Sequence, residues 1–160
     1  MKQAESAVPR PDDVYFFATC VVDQFFPGAG MDAITLLERE GIRVHFPEEQ
    51  TCCGQPAYTS GFPDEARKVA AHQLTLFPND WPVVVPSGSC AGMMKHHYPT
   101  LFAADPVRKA QAEALSARIY ELTDFLVNVL NFQPEDKGSD CTVVLHTSCS
   151  ARREMGVHLT

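Results

Sequence analysis

Six cysteines are spread over this 160-residue chain, and four of them stand in stretches whose composition suits chemistry: Cys20, the Cys52-Cys53-Gly54 triplet, and Cys90 in Ser87-Gly88-Ser89-Cys90. Between Cys20 and Cys52 lie 31 residues, and between Cys53 and Cys90 lie 36, each about one strand–helix unit with its loops. Thiolates are the preferred ligands of zinc, copper(I) and iron–sulfur clusters, and a nearby metal charge lowers their pKa values. Successive residues on a strand point to opposite faces, so Cys52 and Cys53 address one centre only where the chain turns. Gly54 and Pro56 supply that turn chemistry. Cys20, Cys52, Cys53 and Cys90 are therefore the predicted site, with inert buried thiols as the competing reading.

The elements that must position these thiols are legible in outline. Val14–Cys20 and Ile42–Phe46 read as strands, as does Trp81–Pro86, which runs into Ser87-Gly88-Ser89-Cys90. Apolar positions Met31, Ile34 and Leu37 recur at helical spacing up to Gly41, and Pro63-Asp64-Glu65 opens a second helix that ends near Phe77. Helical stretches follow over 107–118 and 120–130. A polar linker, 133–140, precedes Cys141–Thr147, read as the fourth strand, after which Ser148-Cys149 starts the pattern again. Strands alternating with helices predict an α/β fold, a Rossmann-like parallel sheet of about four strands flanked by helices. In such sheets functional loops gather at the carboxyl ends of the strands, which would bring Cys20, Cys52, Cys53 and Cys90 to one rim.

Other residues carry weaker signals. Cys141, at the start of its strand, is expected to pack in the core. His96 and His97 lie about 100° apart on a helix and cannot both face the thiols. His45 reads as an ordinary strand residue, and His146 as a hydrogen-bonding one before the Ser148-Cys149 turn. No phosphate-cradling glycine pattern is present.

A net charge of −7 and only 13 scattered Lys and Arg argue against nucleic acid as a partner. Residues 1–13 form a polar tail without the apolar core of a secretory signal, and no apolar run is long enough for a membrane span. A cytoplasmic setting is expected, and there cysteines serve metals or redox chemistry more than disulfides.

Taken together, Phe16 to Cys20, Phe46-Pro47-Glu48, Cys52-Cys53-Gly54-Gln55-Pro56, Ser60-Gly61, Ser87-Gly88-Ser89-Cys90, Lys95 and Tyr98-Pro99 resemble the cysteine-rich CCG domain family. That family includes the cysteine-rich component of heterodisulfide reductase and the iron–sulfur component of glycolate oxidase, and the likeness is greatest to its lactate utilization group. The resemblance implies that 14–140 is a first CCG repeat and that 141–160 is the start of a second. His146-Thr147-Ser148-Cys149, with Ala151-Arg152-Arg153 and Gly156, matches the opening of that second repeat, which makes Cys149 a further candidate ligand. The second triplet would lie beyond Thr160, so the chain is expected to be a fragment. Fuller versions of the repeat end in Cys-x-x-Cys, whereas Met93 stands three residues after Cys90; thioether sulfur is a weak, neutral ligand.

The resemblance implies an electron-transfer subunit, non-catalytic or co-catalytic, in a complex that oxidises L-lactate or a related 2-hydroxy acid such as glycolate to the 2-oxo acid. Its partners would be the other subunits, one of them an iron–sulfur protein. The alternative is a binding module with a structural zinc ion on Cys20, Cys52, Cys53 and Cys90 and no redox role. A fragment prepared in air could also hold nothing.

Overall fold

The strand Asp13–Phe16 (β1) lies at the centre of the sheet because its side chains alternate between two apolar masses. Val14 and Phe16 enter one cluster, Tyr15 and then Phe17 the other, and all four are nearly or fully buried. The computed structural model describes residues 9–135, 138, 141, 142, 144 and 146–159. Within it β1, Arg43–His45 (β2), Val83–Val85 (β3) and Ile119–Glu121 (β4) form one all-parallel sheet in the order β2-β1-β3-β4. Val14 pairs with Val44, Tyr15 with Val83, and Val84 with Tyr120. The α/β architecture is the one the strand–helix alternation predicts.

Helices cover both faces. Cys20–Phe25 (α1) and Pro27–Arg39 (α2) connect β1 to β2. Gln55–Thr59 (α3) and Pro63–Gln73 (α4) lead to β3, and Gly54, at φ +85°, takes the left-handed conformation that opens α3. Gly88–Gly92 (α5) passes through a π-helical turn, Met93–His97, into Tyr98–Leu101 (α6), and Pro106–Ser116 (α7) reaches β4. Leu122–Asp124 (α8) continues into a second π turn, Phe125–Val129, and Cys149–Arg153 (α9) follows near the end. Proline occupies the first turn of α2, α3, α4, α6 and α7, where its missing N–H costs nothing.

One face of the sheet is covered by Ala66, Ala70, Met93, Met94, Tyr98 and Leu115. The other is covered by Ala33, Leu37, Phe125, Leu126 and Val129. No helix among the described residues is long and apolar enough to cross a membrane.

The fourth strand differs from expectation. Ile119–Glu121, which hydropathy merges into helix, forms it, with Ile119 fully buried beside Val83. Of the strand expected over 141–147, Val143 and Leu145 lie outside the described residues, and the described residues of that stretch carry no strand. Three residues are too few to show an alternation against helical flanks, so tertiary pairing decides β4.

Candidate functional site

Each thiol is delivered a few residues past the carboxyl end of a strand, and the three strands concerned are neighbours in the sheet. After β1, Thr19 caps α1 by accepting from the Val22 N–H at 3.4 Å, and Cys20 is the first helical residue. After β2, Cys52 and Cys53 stand in the connection just before Gly54. After β3, Ser87 precedes α5 in extended conformation and Cys90 is its third residue. Cys20 and Cys90 thus sit on first helical turns rather than in loops.

The thiols fall into two pairs. Cys20 and Cys52, both half-buried, have their sulfurs 3.9 Å apart. They line a cavity of about 300 Å³ with Asp23, Gln50 and Thr51, and the Gly54 N–H donates to the Cys52 sulfur at 3.4 Å. Cys53 and Cys90 lie deeper, 2% and 8% exposed. The Cys53 thiol donates to Cys90, which with burial pushes Cys53 well above the ordinary thiol range. The same hydrogen bond, with one from Ser87, pulls the Cys90 thiol down against the opposing effect of burial. Burial and the neighbouring Cys52 push the Cys20 thiol up.

Beneath the triplet, Tyr98, with no exposed surface, donates its hydroxyl to the Cys53 carbonyl at 2.9 Å. A Cβ at Gly54 would lie 3.3 Å from the Ala66 carbonyl, so the turn between Cys53 and α3 is closed to side chains as well as left-handed. Gln73, fully buried, donates to the Thr51 hydroxyl at 2.8 Å and holds the residue before the triplet.

The donor set fits a soft metal or iron–sulfur group by type. Among the described residues no three Cys, His, Asp or Glu side chains gather closely enough to hold a single ion. Cys52 also acts on Cys53, and Cys20 and Cys52 on Cys90, so the two pairs adjoin as one group of four thiols. Met93 is fully buried in the same apolar cluster as Cys53 and Cys90.

Cys149 is not brought to this group: it is exposed, at the first position of α9. Its local structure repeats that of Cys20, since Ser148 caps α9 by accepting from the Ala151 N–H at 3.2 Å. Cys141 is exposed rather than in the core, and the described residues of its expected strand form no strand that would carry it inward. His96 and His97 both turn to Glu154, the first to its carbonyl at 3.1 Å and the second to its carboxylate at 3.3 Å. His45 pairs with Asp13 at 2.8 Å and stacks on Trp81. Sequence reasoning gives no role to Ser87, Gln73 or the Tyr98 hydroxyl. Ser87 stands at the start of a recognised motif, whereas Gln73 has no sequence signal at all.

Residues 14–95 match the family model described as a cysteine-rich CCG domain, a span that contains all four rim cysteines and excludes Cys149. The chain is 47% identical over 143 residues to the lactate utilization protein A of Shouchella clausii, covering 88% of this chain and 59% of that protein. It is 45% identical over 144 residues to the protein of the same name from Geobacillus kaustophilus, covering 90% and 60%. A third, from Halalkalibacterium halodurans, is 45% identical over 143 residues, covering 89% and 58%. The chain thus spans about 60% of the length of these curated relatives. No solved structure matches it significantly.

Proposed function

The chain belongs to the cysteine-rich CCG domain family, and on that premise we propose that it is an electron-transfer component whose rim cysteines hold an iron–sulfur centre. The observation that carries this reading is the gathering of Cys20, Cys52, Cys53 and Cys90 as two thiol pairs on the rim of three adjacent parallel strands. Such a centre supplies reversible one-electron redox chemistry when bound. The chain's own residues do the rest. The Cys53 carbonyl is fixed by Tyr98, the Cys90 thiol is shifted toward its thiolate by Cys53 and Ser87, and Gly54 donates its N–H to the Cys52 sulfur. Hydrogen bonds to sulfur and burial are the levers by which a protein tunes the potential of a thiolate-bound centre.

The names of the relatives supply the pathway: electrons would come from oxidation of L-lactate, or a related 2-hydroxy acid such as glycolate, to the 2-oxo acid. The component would work in the cytoplasm with other subunits of a lactate-oxidising complex, one of them an iron–sulfur protein. It would take part in the oxidoreductase without itself handling the substrate's protons. Residues 141–160 would open a second CCG repeat, with Cys149 as a ligand there. The test is anaerobic copurification with those subunits followed by addition of L-lactate. Loss of visible absorption and a new paramagnetic signal assigned to this chain are expected. Full reduction of the partner with no change in this chain would overturn the proposal.

One observation favours a second reading. Two thiolates on one tetrahedral zinc ion, about 2.3 Å from it, stand about 3.8 Å apart, close to the 3.9 Å between Cys20 and Cys52. A structural zinc ion would give a colourless protein that L-lactate does not alter.

A further inference from the structure

The two thiol pairs of the rim differ in what can reach them. Cys20 and Cys52 are half-buried, have their sulfurs 3.9 Å apart, and line a cavity of about 300 Å³ whose other walls include the exposed Asp23, Gln24 and Thr51. Cys53 and Cys90 are sealed in the apolar cluster with Met93, Met94 and Tyr98. The outer pair is also held in place from the backbone side. Thr19, itself buried, caps the helix on which Cys20 is the first residue. Gln73 fixes Thr51 beside Cys52, and the Cys52 sulfur accepts from the Gly54 N–H.

Two thiols in contact within a reachable cavity have the arrangement that thiol–disulfide exchange needs. A disulfide sets its sulfurs about 2 Å apart and its Cα atoms roughly 4.4–6.8 Å apart. Cys52 and Cys53 fail the second requirement, because neighbouring Cα atoms across a trans peptide stand only about 3.8 Å apart. Cys53 and Cys90 touch, but exchange requires that the oxidant reach a sulfur, and both of these are shut away from it. For Cys20 and Cys52, closure brings two side-chain sulfurs together by about 2 Å. The strands that lead to them, β1 and β2, are already hydrogen-bonded neighbours, so the bond would join elements that lie side by side.

We infer that Cys20 and Cys52 are a redox-modification site: in the chain without its centre they close to a reversible disulfide, while Cys53 and Cys90 remain thiols. The oxidant is a low-molecular-weight disulfide, RSSR. One thiolate of the pair attacks it, releasing one RSH and leaving a mixed disulfide on the protein. The other thiol then attacks the protein sulfur of that mixed disulfide and displaces the second RSH. Two protein thiols are oxidised, one RSSR is reduced to two RSH, and both thiol protons end on the released thiols. The bond withdraws two of the four rim ligands, so the chain takes up no iron–sulfur centre until excess RSH or a dithiol reopens it. It also keeps both sulfurs from the irreversible sulfinic and sulfonic stages. In a compartment that holds thiols reduced, the bond is transient and follows oxidative exposure.

Formation of the bond is independent of what the rim binds; its effect on loading rests on the proposal that the rim holds an iron–sulfur centre. The test uses the metal-free chain with Cys141→Ser and Cys149→Ser, which removes the thiols outside the rim. The chain is equilibrated anaerobically with glutathione and glutathione disulfide, quenched in acid, unfolded, alkylated and digested. Tandem mass spectrometry should find one disulfide, Cys20 to Cys52, with Cys53 and Cys90 alkylated. Cys53→Ser should keep that bond, whereas Cys20→Ser should lose it and accumulate a glutathione adduct on Cys52. In denaturant the preference for this pair should disappear, and excess reduced glutathione should restore four alkylatable thiols. Circular dichroism checks that each variant is folded. The closed chain should then take up at least tenfold less iron and sulfide than the reduced chain. A dominant Cys53–Cys90 or Cys52–Cys53 bond, rim thiols that stay unpaired at an oxidising ratio, or a closed chain that loads iron as fully as the reduced one would overturn the inference. A reduced chain that binds no iron would instead defeat the proposed function, and the disulfide analysis, run without metal, would still decide for or against the pair.

Discussion

The Tyr98 hydroxyl, sealed from solvent, reaches the carbonyl of Cys53 at 2.9 Å, 45 residues away in sequence. One buried hydrogen bond therefore ties the helix that follows Cys90 to the backbone of the CCG triplet. Tyr98→Phe keeps the ring and leaves that carbonyl without its donor. A buried group left unsatisfied costs about 1–3 kcal/mol. The urea midpoint should fall by the corresponding amount, and alkylation of Cys53 in the metal-free protein should accelerate beyond what the lost global stability explains.

Gly88 separates α5 from α9 by nothing but hydrogen. Gly88→Ala forces a Cβ against the Ala151 backbone, which cannot move aside as a side-chain tip can. Overpacking of this kind costs about 1–3 kcal/mol. Hydrogen exchange should rise in residues 149–153 and remain unchanged in α2. Gly28→Ala is the contrasting control: a Cβ there meets no described atom within 4 Å, so stability should hold or increase slightly.

Asp13 links β1 to β2 through Arg43 at 2.6 Å and His45 at 2.8 Å, and these hydrogen bonds lower its pKa from 3.8 to about 2. A depressed carboxylate pKa contributes stability that is fully present above the unfolded value and disappears as pH falls through the folded one. Asp13→Asn should therefore lower the melting temperature at pH 7, and its gap from wild type should close between about pH 4 and pH 2. A gap that persists undiminished at pH 2 would mean that Asp13 acts through shape rather than charge.

Thiol accessibility gives a fourth test. In metal-free protein at neutral pH, iodoacetamide should label exposed Cys149 first, Cys20 and Cys52 more slowly, and Cys53 only as fast as the chain opens. Ser87→Ala removes a donor to the Cys90 sulfur, so it should raise the Cys90 pKa and slow labelling of that residue relative to wild type.

The sheet order is only partly legible in the sequence. Val14–Phe17 and Val83–Val85 are apolar and β-branched or aromatic without interruption, as strands buried on both faces are, and these can be read. Ile119–Glu121 cannot, because it is three residues long, follows α7 after a two-residue turn and runs directly into α8. The sequence nonetheless contains the information that matters for the site: where β1, β2 and β3 end. Knowing that parallel strands share a carboxyl rim places Cys20, Cys52, Cys53 and Cys90 together, whatever forms the fourth strand.

The pairing within that group is not legible. Which thiol meets which depends on Gly54 in the left-handed region and on the Thr19 cap, both of them local backbone choices that spacing does not encode. The same holds for Gln73, a polar residue whose burial makes sense only once Thr51 is seen against it. Cys141 misleads for the opposite reason, since a β-branched run after it reads as a strand that the described residues do not form.

The central claim is that four named thiols act as one ligand set for an iron–sulfur centre. Its most direct test is anaerobic reconstitution of the chain with iron and sulfide, followed by metal and acid-labile sulfide analysis of wild type and of single Cys→Ser variants. Bound iron with sulfide and visible absorption are expected in wild type, with loss of both in each of Cys20→Ser, Cys52→Ser, Cys53→Ser and Cys90→Ser, and retention in Cys141→Ser. Iron and sulfide bound equally well by the Cys90→Ser and Cys20→Ser variants, or a chain that takes up zinc and no iron, would contradict it.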